Sequence, residues 1–304
     1  MTEWGYFIVL IICLGIAAKK VAVEPVFENH VNNDYIDNND EIVLEVDDRN
    51  VQNNMVEKTL IKSQVYQGNL LLINSQYPVR EESVKSDIVN LFKSKELKQR
   101  YKLNNRKIEL SRDVAQKFSQ LVQDARSEGV RNFTINSGFR GFDEQNRLYK
   151  EMGSNIAMPP GYSEHNAGLS LDVGSTKMKM IHAPEGEWIE KNAWKYGFIL
   201  RYPKDKTDIT GIQYEPWHIR YVGLPHSAIM QEKNIVLEEY LDYLKEEESV
   251  SVIVNGHKYT VYYYNISQAC TVKVPTNTPF EISGNNMDGV IVTVSEQDVL
   301  NYVS

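Results

Sequence analysis

The chain has 304 residues, enough for one substantial domain with appendages, and hydrophobic residues make up 42% of it, enough to build a core. Its 41 acidic residues outnumber its 33 basic residues, and the net charge of -8 argues against a nucleic-acid binder, which normally presents a basic face. The only two cysteines, Cys13 and Cys270, lie far apart, so neither a disulfide framework nor a closed cysteine zinc site is expected.

The N-terminus carries an apolar run over residues 4–18, followed by Lys19 and Lys20. A signal-peptide core has about 7–15 apolar residues and a spanning helix about 17–25, so the run falls between them. No clear cleavage site follows it, which favours an uncleaved single-pass anchor in the cell membrane over residues 1–20. The positive-inside rule would place the following domain in the cytoplasm. We keep both orientations open and favour the extracellular side.

The next segment is dominated by Asn, Asp and Glu and lacks Gly and Pro over residues 28–54. Such a composition is typical of a solvated segment, and we predict a tether over residues 21–62. The density of Asp and Asn also raises the possibility of calcium binding. The spaced Asp pattern of a calcium loop is absent, so the tether is the preferred interpretation.

Folded structure is predicted to begin with a buried strand over residues 65–73. Helices are predicted where apolar residues recur on one face between a cap and a stop signal, over residues 111–129, 143–153, 188–197 and 232–248. A strand containing Phe133 and Ile135 precedes a turn that ends at Arg140. These elements predict the main folded domain over residues 63–248.

After residue 248 the sequence changes to short Val- and Tyr-rich runs separated by turn residues such as Asn255 and Gly256. We predict a small all-β module over residues 249–304 that packs on the main domain. The expected fold class is α+β, with an antiparallel sheet and flanking helices, plus this C-terminal module.

The first candidate site is the segment 163–172, which reads Ser-Glu-His-Asn-Ala-Gly-Leu-Ser-Leu-Asp. Its second half alternates, so Leu171 and Val173 face a core while Asp172 points the other way. His165, in the preceding loop, can join Asp172 there. Taken singly, each residue is better explained as a surface carboxylate or a loop histidine.

The second candidate is the pair Glu215 and His218, three residues apart. The residues that follow His218 favour a strand, in which positions three apart face opposite ways. A bend at Pro216 would be needed to bring both side chains to one metal. The alternative is a core Trp217 flanked by exposed polar residues.

Together the two segments supply what a zinc hydrolase needs. Three protein ligands leave a fourth position for water, and a nearby glutamate can take its proton. Arg140 follows a strand and a glycine turn, where a side chain can be aimed into a cleft to contact an anion. Without the metal motif, Arg140 would be read as an ordinary surface arginine.

The chain resembles the zinc D-alanyl-D-alanine peptidases, the family of the vancomycin-resistance carboxypeptidases and dipeptidases, and most of all their VanY-type members. The resemblance rests on Ser-x-His-x-x-Gly-x-x-x-Asp at 163–172 and Glu-x-x-His at 215–218, and it covers roughly residues 65–304. Further matching blocks lie at residues 137–140, 145, 192–198, 201–203 and 215–223.

The resemblance implies that residues 63–248 are a zinc peptidase catalytic domain, whose antiparallel sheet and flanking helices carry a zinc site. It also implies a role for each candidate residue. His165, Asp172 and His218 would bind Zn²⁺, Glu215 would be the general base, and Arg140 would hold the scissile carbonyl and its oxyanion. Peptide contacts are implied for three further residues: Gln145, Ser163 and Tyr202.

The function that this implies is removal of the C-terminal D-Ala from peptidoglycan precursor pentapeptides ending in D-Ala-D-Ala, contributing to glycopeptide resistance. Two alternatives stay open. One is a D,D-dipeptidase, L,D-peptidase or endopeptidase on the same scaffold. The other is a non-catalytic module that binds cell-wall peptide, against which the retained Glu215 argues.

Overall fold

The computed structural model describes residues 42–45, 55–97, 100–153, 158–275 and 278–296. Six α-helices and fourteen strands lie in these ranges. The helices are α1 (Arg112–Ser127), α2 (Phe142–Met152), α3 (Pro184–Asn192), α4 (Thr207–Thr210), α5 (His226–Lys233) and α6 (Leu237–Glu247). The strands are β1 (Ile42–Glu45), β2 (Met55–Leu60), β3 (Ile88–Asn90), β4 (Lys102–Leu103), β5 (Glu109–Ser111), β6 (Phe133–Ser137), β7 (Ser170–Ser175), β8 (Phe198–Leu200), β9 (His218–Tyr221), β10 (Ser249–Val254), β11 (His257–Asn265), β12 (Cys270–Pro275), β13 (Phe280–Gly284) and β14 (Gly289–Glu296).

A five-stranded sheet in the order β4-β6-β7-β9-β8 carries the candidate site. Its pairs are antiparallel except β4 and β6, which run parallel, so the predicted antiparallel sheet is mixed at this edge. Leu171 and Val173 of β7 are fully buried in the core beneath it, as their alternation predicts. The mixed α/β class with helices flanking sheets is confirmed.

Helix α1 packs its apolar face onto this sheet and follows the sequence prediction closely. Ser111 is its N-cap and accepts a hydrogen bond from the backbone N–H of Val114, which satisfies one of the free donors of the first turn. Phe118 is fully buried, and its ring lies against three aromatic rings at centroid distances of 5.2–6.4 Å: those of Tyr101, Phe133 and Phe198.

The second five-stranded sheet has the order β1-β10-β11-β14-β13, and β2 pairs with β12 separately. The predicted turns are present: Asn255 and Gly256 both have positive φ, as a tight two-residue hairpin requires. Strands β1 and β2 belong to the segment that the sequence predicts to be a solvated tether. The predicted domain boundaries at residues 62 and 248 stay predictions. The five-stranded sheet nevertheless joins β1, from the predicted tether, to four strands of the predicted C-terminal module.

The predicted strand over residues 65–73 is wrong. A 3-10 helix (Lys62–Tyr66) includes the first two residues of this segment, Gly68 has a φ of +105°, and residues 70–73 are buried outside any strand. Here a side chain replaces a neighbouring strand as the hydrogen-bond partner of the backbone. The guanidinium of Arg220 donates to the carbonyls of Asn69 and Leu71. An apolar run predicts that its residues are buried. It does not predict which groups form hydrogen bonds with their backbone.

The helix predicted over residues 232–248 is two helices. Helix α5 ends at Lys233, and α6 begins only at Leu237. Asn234, the C-cap of α5, adopts the left-handed conformation at φ 51°. Asn tolerates this conformation better than other residues with side chains. The apolar residues Tyr240, Leu241 and Leu244 of α6 are buried as predicted.

His226, at the start of α5, joins α6 and β14 through a buried pair of hydrogen bonds. Its Nδ1 lies 2.7 Å from the Tyr240 hydroxyl and its Nε2 lies 3.0 Å from Oγ1 of Thr293. Burial lowers the pKa of His226 to about 3. The unfolded chain binds a proton below about pH 6.5 and the folded chain does not until about pH 3. Stability from neutral His226 is therefore complete above pH 6.5 and is lost as the pH falls towards 3.

We expect His226→Gln to flatten the pH dependence of stability. Over the interval from pH 7.5 to pH 5, the wild type should lose about 2 kcal/mol more unfolding free energy than the variant, from about 1.4 kcal/mol per pH unit below the unfolded pKa. Urea unfolding at both pH values measures this difference, and groups common to both proteins cancel. An equal loss in the two proteins would show that His226 does not carry this dependence.

The predicted membrane-spanning anchor is corrected. No helix within the described ranges has the length and apolar character needed to cross a membrane, so a single-pass anchor with an extracellular domain is not supported. Residues 1–20, to which the anchor was assigned, lie outside those ranges.

Candidate metal centre and active site

Asp172 and His218 lie opposite each other on neighbouring strands. They are direct partners in the antiparallel pairing of β7 with β9, where facing side chains project from the same side of the sheet. Nδ1 of His218 lies 3.1 Å from Oδ1 of Asp172. On the other side of β7, the pairing with β6 shifts register between Ile135 and Ser137, so an irregularity flanks the strand that carries Asp172.

Glu215 reaches the same place through a turn that ends where β9 begins. The backbone N–H of His218 donates to the carbonyl of Glu215 at 3.1 Å, which closes a four-residue turn with Pro216 at its second position. Oε2 of Glu215 lies 4.0 Å from Nδ1 of His218. The bend at Pro216 that the spacing requires is therefore present.

His165 enters from a 3-10 helix (Glu164–Ala167) that precedes β7. Its Nδ1 lies 2.6 Å from the backbone carbonyl of Gly138, and its Nε2 lies 3.4 Å from Oδ2 of Asp172. The backbone N–H of Arg140 donates to the carbonyl of His165, and the side-chain amide of Asn166 donates to the carbonyl of Arg140. These bonds tie the arginine-bearing loop to the histidine-bearing helix.

The three predicted ligands form one group. His165, Asp172 and His218 each offer one atom, and these atoms lie within 4.8 Å of one another. The two histidines are buried and Asp172 is half-buried. Two imidazole nitrogens and one carboxylate oxygen are a ligand set that suits Zn²⁺, and three protein ligands leave a coordination position for water or substrate. The residues present therefore fit the metal that the sequence predicts.

The pKa values of Glu215 and His218 are both raised, but for different reasons. Burial raises the pKa of Glu215 above its ordinary value, and the Asp172 carboxylate acts in the same direction, while His218 and Arg140 oppose it. A carboxyl shifted upward is a better proton acceptor near neutral pH. Burial would lower the pKa of His218, but hydrogen bonds to Asp172 and Glu164 outweigh it and raise that pKa to about 9.

One cavity of about 660 Å³ brings all the predicted site residues together. Two side chains that line this cavity carry a buried polar atom without a partner within the described residues: Nε of Arg140 and Oε1 of Gln145. The Gln145 amide donates to the carbonyl of Met158 at 2.6 Å, which holds the side chain in place. The predicted residues that line the cavity are Arg140, Gln145, Ser163, His165, Asp172, Tyr202, Glu215 and His218.

Sequence reasoning missed a buried ionic cluster behind the metal ligands. Glu164 accepts from Arg201 at 2.8 Å and from Arg220 at 2.7 Å, and all three side chains are at most 1% exposed. Burial alone would raise the pKa of Glu164, but the two guanidiniums outweigh it and hold that pKa well below its ordinary value. A charged residue directly before a ligand histidine was the available signal.

Comparison with known proteins points to the same peptidase family as the sequence motifs that carry the site. A model of the VanY family, described as D-alanyl-D-alanine carboxypeptidase, matches residues 107–224. A D-alanyl-D-alanine carboxypeptidase of Enterococcus faecium is 68% identical over 241 residues, which cover 79% of this chain and 80% of that protein. A second relative is the bifunctional D-Ala-D-Ala dipeptidase and D-Ala-D-Ala carboxypeptidase VanXYC of Enterococcus gallinarum. It is 34% identical over 195 residues, which cover 59% of this chain and 96% of that protein.

The fold recurs in a solved structure. The crystal structure of the vancomycin resistance D,D-dipeptidase VanXYg in complex with a D-Ala-D-Ala phosphinate analog matches with a TM-score of 0.69 and 33% identity. The match covers 80% of this chain and 100% of that one. The predicted resemblance is confirmed: this chain belongs to the VanY family of D-alanyl-D-alanine carboxypeptidases.

Proposed function

We propose that this chain is a zinc-dependent D,D-carboxypeptidase that removes the C-terminal D-Ala from peptidoglycan precursor pentapeptides and thereby contributes to glycopeptide resistance. The observation that carries this proposal is the convergence of three metal-ligand atoms within 4.8 Å, with a glutamate beside them, in one cavity. Family membership supplies the reaction class, and the cavity supplies the groups that the reaction needs.

His165, Asp172 and His218 would hold the metal. When bound, Zn²⁺ supplies Lewis-acid polarisation of a carbonyl and makes a water molecule acidic near neutral pH. Nδ1 of His165 faces the carbonyl of Gly138, so the donor atom left for the metal is Nε2. His218 faces Asp172 with Nδ1, which is the donor atom that it would offer.

Glu215 would move the proton. Its carboxylate removes a proton from the attacking water and returns it to the amine of the leaving D-Ala, so it serves first as general base and then as general acid. Its raised pKa suits both halves of this task. No serine ester forms along this route, and we therefore expect no sensitivity to β-lactams.

Arg140 would stabilise the carbonyl oxygen that becomes negative during the attack. Its guanidinium carries a buried Nε without a partner among the described residues, in a cavity that also holds the ligands. A fixed donor aimed at developing charge is worth most where water is excluded. Gln145, Ser163 and Tyr202 would contact the peptide, because they line the same cavity.

A D,D-dipeptidase is the second candidate, because two of the similar proteins are described as dipeptidases. The volume of about 660 Å³ favours the longer substrate. Cavities of about 300–1,000 Å³ hold ligands of drug size, whereas D-Ala-D-Ala has few heavy atoms.

We also propose that residues 249–304 act as a small β module on a catalytic domain over residues 63–248. Helix α6 and the strands β10, β11 and β14 share one apolar cluster, which supports close packing of the two parts. Strands β1 and β2, from the predicted tether over residues 21–62, would complete the module.

Release of D-Ala from a set of peptides tests the proposed function. The set contains a muramyl pentapeptide ending in D-Ala-D-Ala, free D-Ala-D-Ala, and the tetrapeptide left after one cleavage. We expect hydrolysis of the pentapeptide with a kcat/KM at least about tenfold above that for the dipeptide, and no hydrolysis of the tetrapeptide, since tenfold corresponds to about 1.4 kcal/mol of added contacts. Preference for the dipeptide would favour the second candidate. Tight pentapeptide binding without hydrolysis would contradict both.

A further inference from the structure

Glu164 lies directly behind His218, on the side away from the metal-ligand atoms. Its Oε2 is 3.2 Å from Nε2 of His218, whereas Nδ1 of the same ring faces Asp172 at 3.1 Å. Glu164 is 2% exposed and therefore makes this contact out of reach of bulk water. The imidazole is thus held from both ends, by one carboxylate at each nitrogen.

The two carboxylate oxygens of Glu164 have separate partners. Oε1 accepts from Nε of Arg201 and from Nη1 of Arg220, and Oε2 is left for His218. Arg220 is fixed further by the carbonyls of Asn69 and Leu71. Glu164 therefore cannot rotate away from His218 without breaking two charged hydrogen bonds in a buried site, where such bonds are strong.

The chemistry of this contact selects one form of the histidine. An imidazole that offers one nitrogen to a metal carries its hydrogen on the other. An ionised carboxylate only accepts hydrogen bonds, so Oε2 of Glu164 favours hydrogen on Nε2, and Nδ1, which faces Asp172, is the nitrogen whose lone pair a metal would take up. His165 is arranged in the same way, with the carbonyl of Gly138 behind its Nδ1.

We propose that Glu164 is a positioning residue of the metal centre, which orients His218 and fixes the hydrogen on its Nε2 so that Nδ1 is free for the metal. This inference rests on the proposed zinc-dependent function. Carboxylates in this role typically account for a factor of about 10–100 in metal affinity or activity. Arg201 and Arg220 hold the Glu164 carboxylate in place by donating to its Oε1.

Glu164→Gln is the sharpest test because it keeps the size of the side chain. Both guanidiniums need an acceptor, so the amide oxygen of the new residue should stay with Arg201 and Arg220. The NH₂ group would then face Nε2 of His218 and donate to it, which favours hydrogen on Nδ1, where the metal should bind. We expect the zinc dissociation constant, measured by competition with a chromophoric chelator, to rise about 10–100-fold.

Glu238→Gln is the matched control. Glu238 pairs with Nη1 and Nη2 of Arg201 at 2.8 and 2.7 Å and has no hydrogen bond to His218 among the described residues. This variant removes a negative charge from the same ionic cluster but leaves the contact between Glu164 and His218 intact. We expect its zinc affinity to stay within about threefold of wild type because the contact between Glu164 and His218 is unchanged, compared with the 10–100-fold loss expected when that contact is altered. Thermal unfolding of the metal-free variants reports the purely structural cost of each change.

Glu164→Asp keeps the test decisive if the Gln variant does not fold. It retains the charge that Arg201 and Arg220 need, but its carboxylate is one methylene short of spanning the guanidiniums and His218. Zinc affinity should fall here too, and the visible spectrum of the Co²⁺-loaded protein should change in both Glu164 variants but not in Glu238→Gln. Wild-type affinity and spectra in the Glu164 variants would overturn the inference alone. Failure of the wild type to bind zinc would overturn the proposed function with it.

Discussion

Glu215→Gln is expected to lower kcat by about 10²–10⁴-fold, the usual contribution of a general acid–base group, while zinc binding is retained. The amide cannot take a proton from water or return one to the leaving amine. Glu215 does not belong to the group of ligand atoms, so its replacement leaves His165, Asp172 and His218 in place. Single-turnover release of D-Ala from the pentapeptide, with zinc content measured on the same sample, checks both halves of the expectation.

Glu187→Gln provides the control for this experiment. Glu187 is a glutamate on α3 whose side chain is 70% exposed and which forms a surface ion pair with Lys191, so its replacement should leave kcat and zinc content unchanged. Loss of zinc in Glu215→Gln would assign Glu215 to metal binding instead of proton transfer. Wild-type turnover with full zinc content in Glu215→Gln would show that Glu215 takes no part in the reaction.

The predictable part of the site depended on short-range patterns. The alternation around Asp172 placed Leu171 and Val173 in the core, since successive side chains of a strand point to opposite faces. The spacing of Glu215 and His218 required a bend, and Pro216 was the residue that identified where it would be. Such inferences need only the neighbouring residues, and therefore one sequence suffices for them.

The unpredicted part depended on residues distant in sequence. Glu164 is separated from Arg201 by 37 residues and from Arg220 by 56. Its place directly before a ligand histidine was a local signal for Glu164 alone, and it did not identify the two arginines that share its buried site. The same holds for the segment at 65–73, whose carbonyls are bonded by a side chain of β9. Strands β1 and β2 were missed because they are short, because the residues around β1 are mostly Asn, Asp and Glu, and because their partners lie about 200 residues downstream.

Removal of bound metal is expected to abolish activity, and added Zn²⁺ to restore it. A Lewis acid contributes several kcal/mol to charge stabilisation in such reactions, so loss of about 10³-fold or more in kcat/KM is expected. Zinc should also raise the unfolding free energy by about 2.7 kcal/mol at a free concentration one hundred times its dissociation constant. Dialysis against a chelator, readdition of Zn²⁺ and thermal unfolding in both states measure these effects.

A pair of histidine variants distinguishes loss of this site from general damage by the chelator. His165→Ala removes one ligand and should abolish both the zinc-dependent rise in stability and the restored activity. His182→Ala removes an exposed histidine outside the cavity and should change neither. Because the residues that would carry the reaction include no serine nucleophile, a β-lactam should leave the zinc-loaded enzyme active at concentrations that inactivate a serine D,D-peptidase. Full activity after verified removal of all metal would contradict the assignment of His165, Asp172 and His218 as ligands of a catalytic ion.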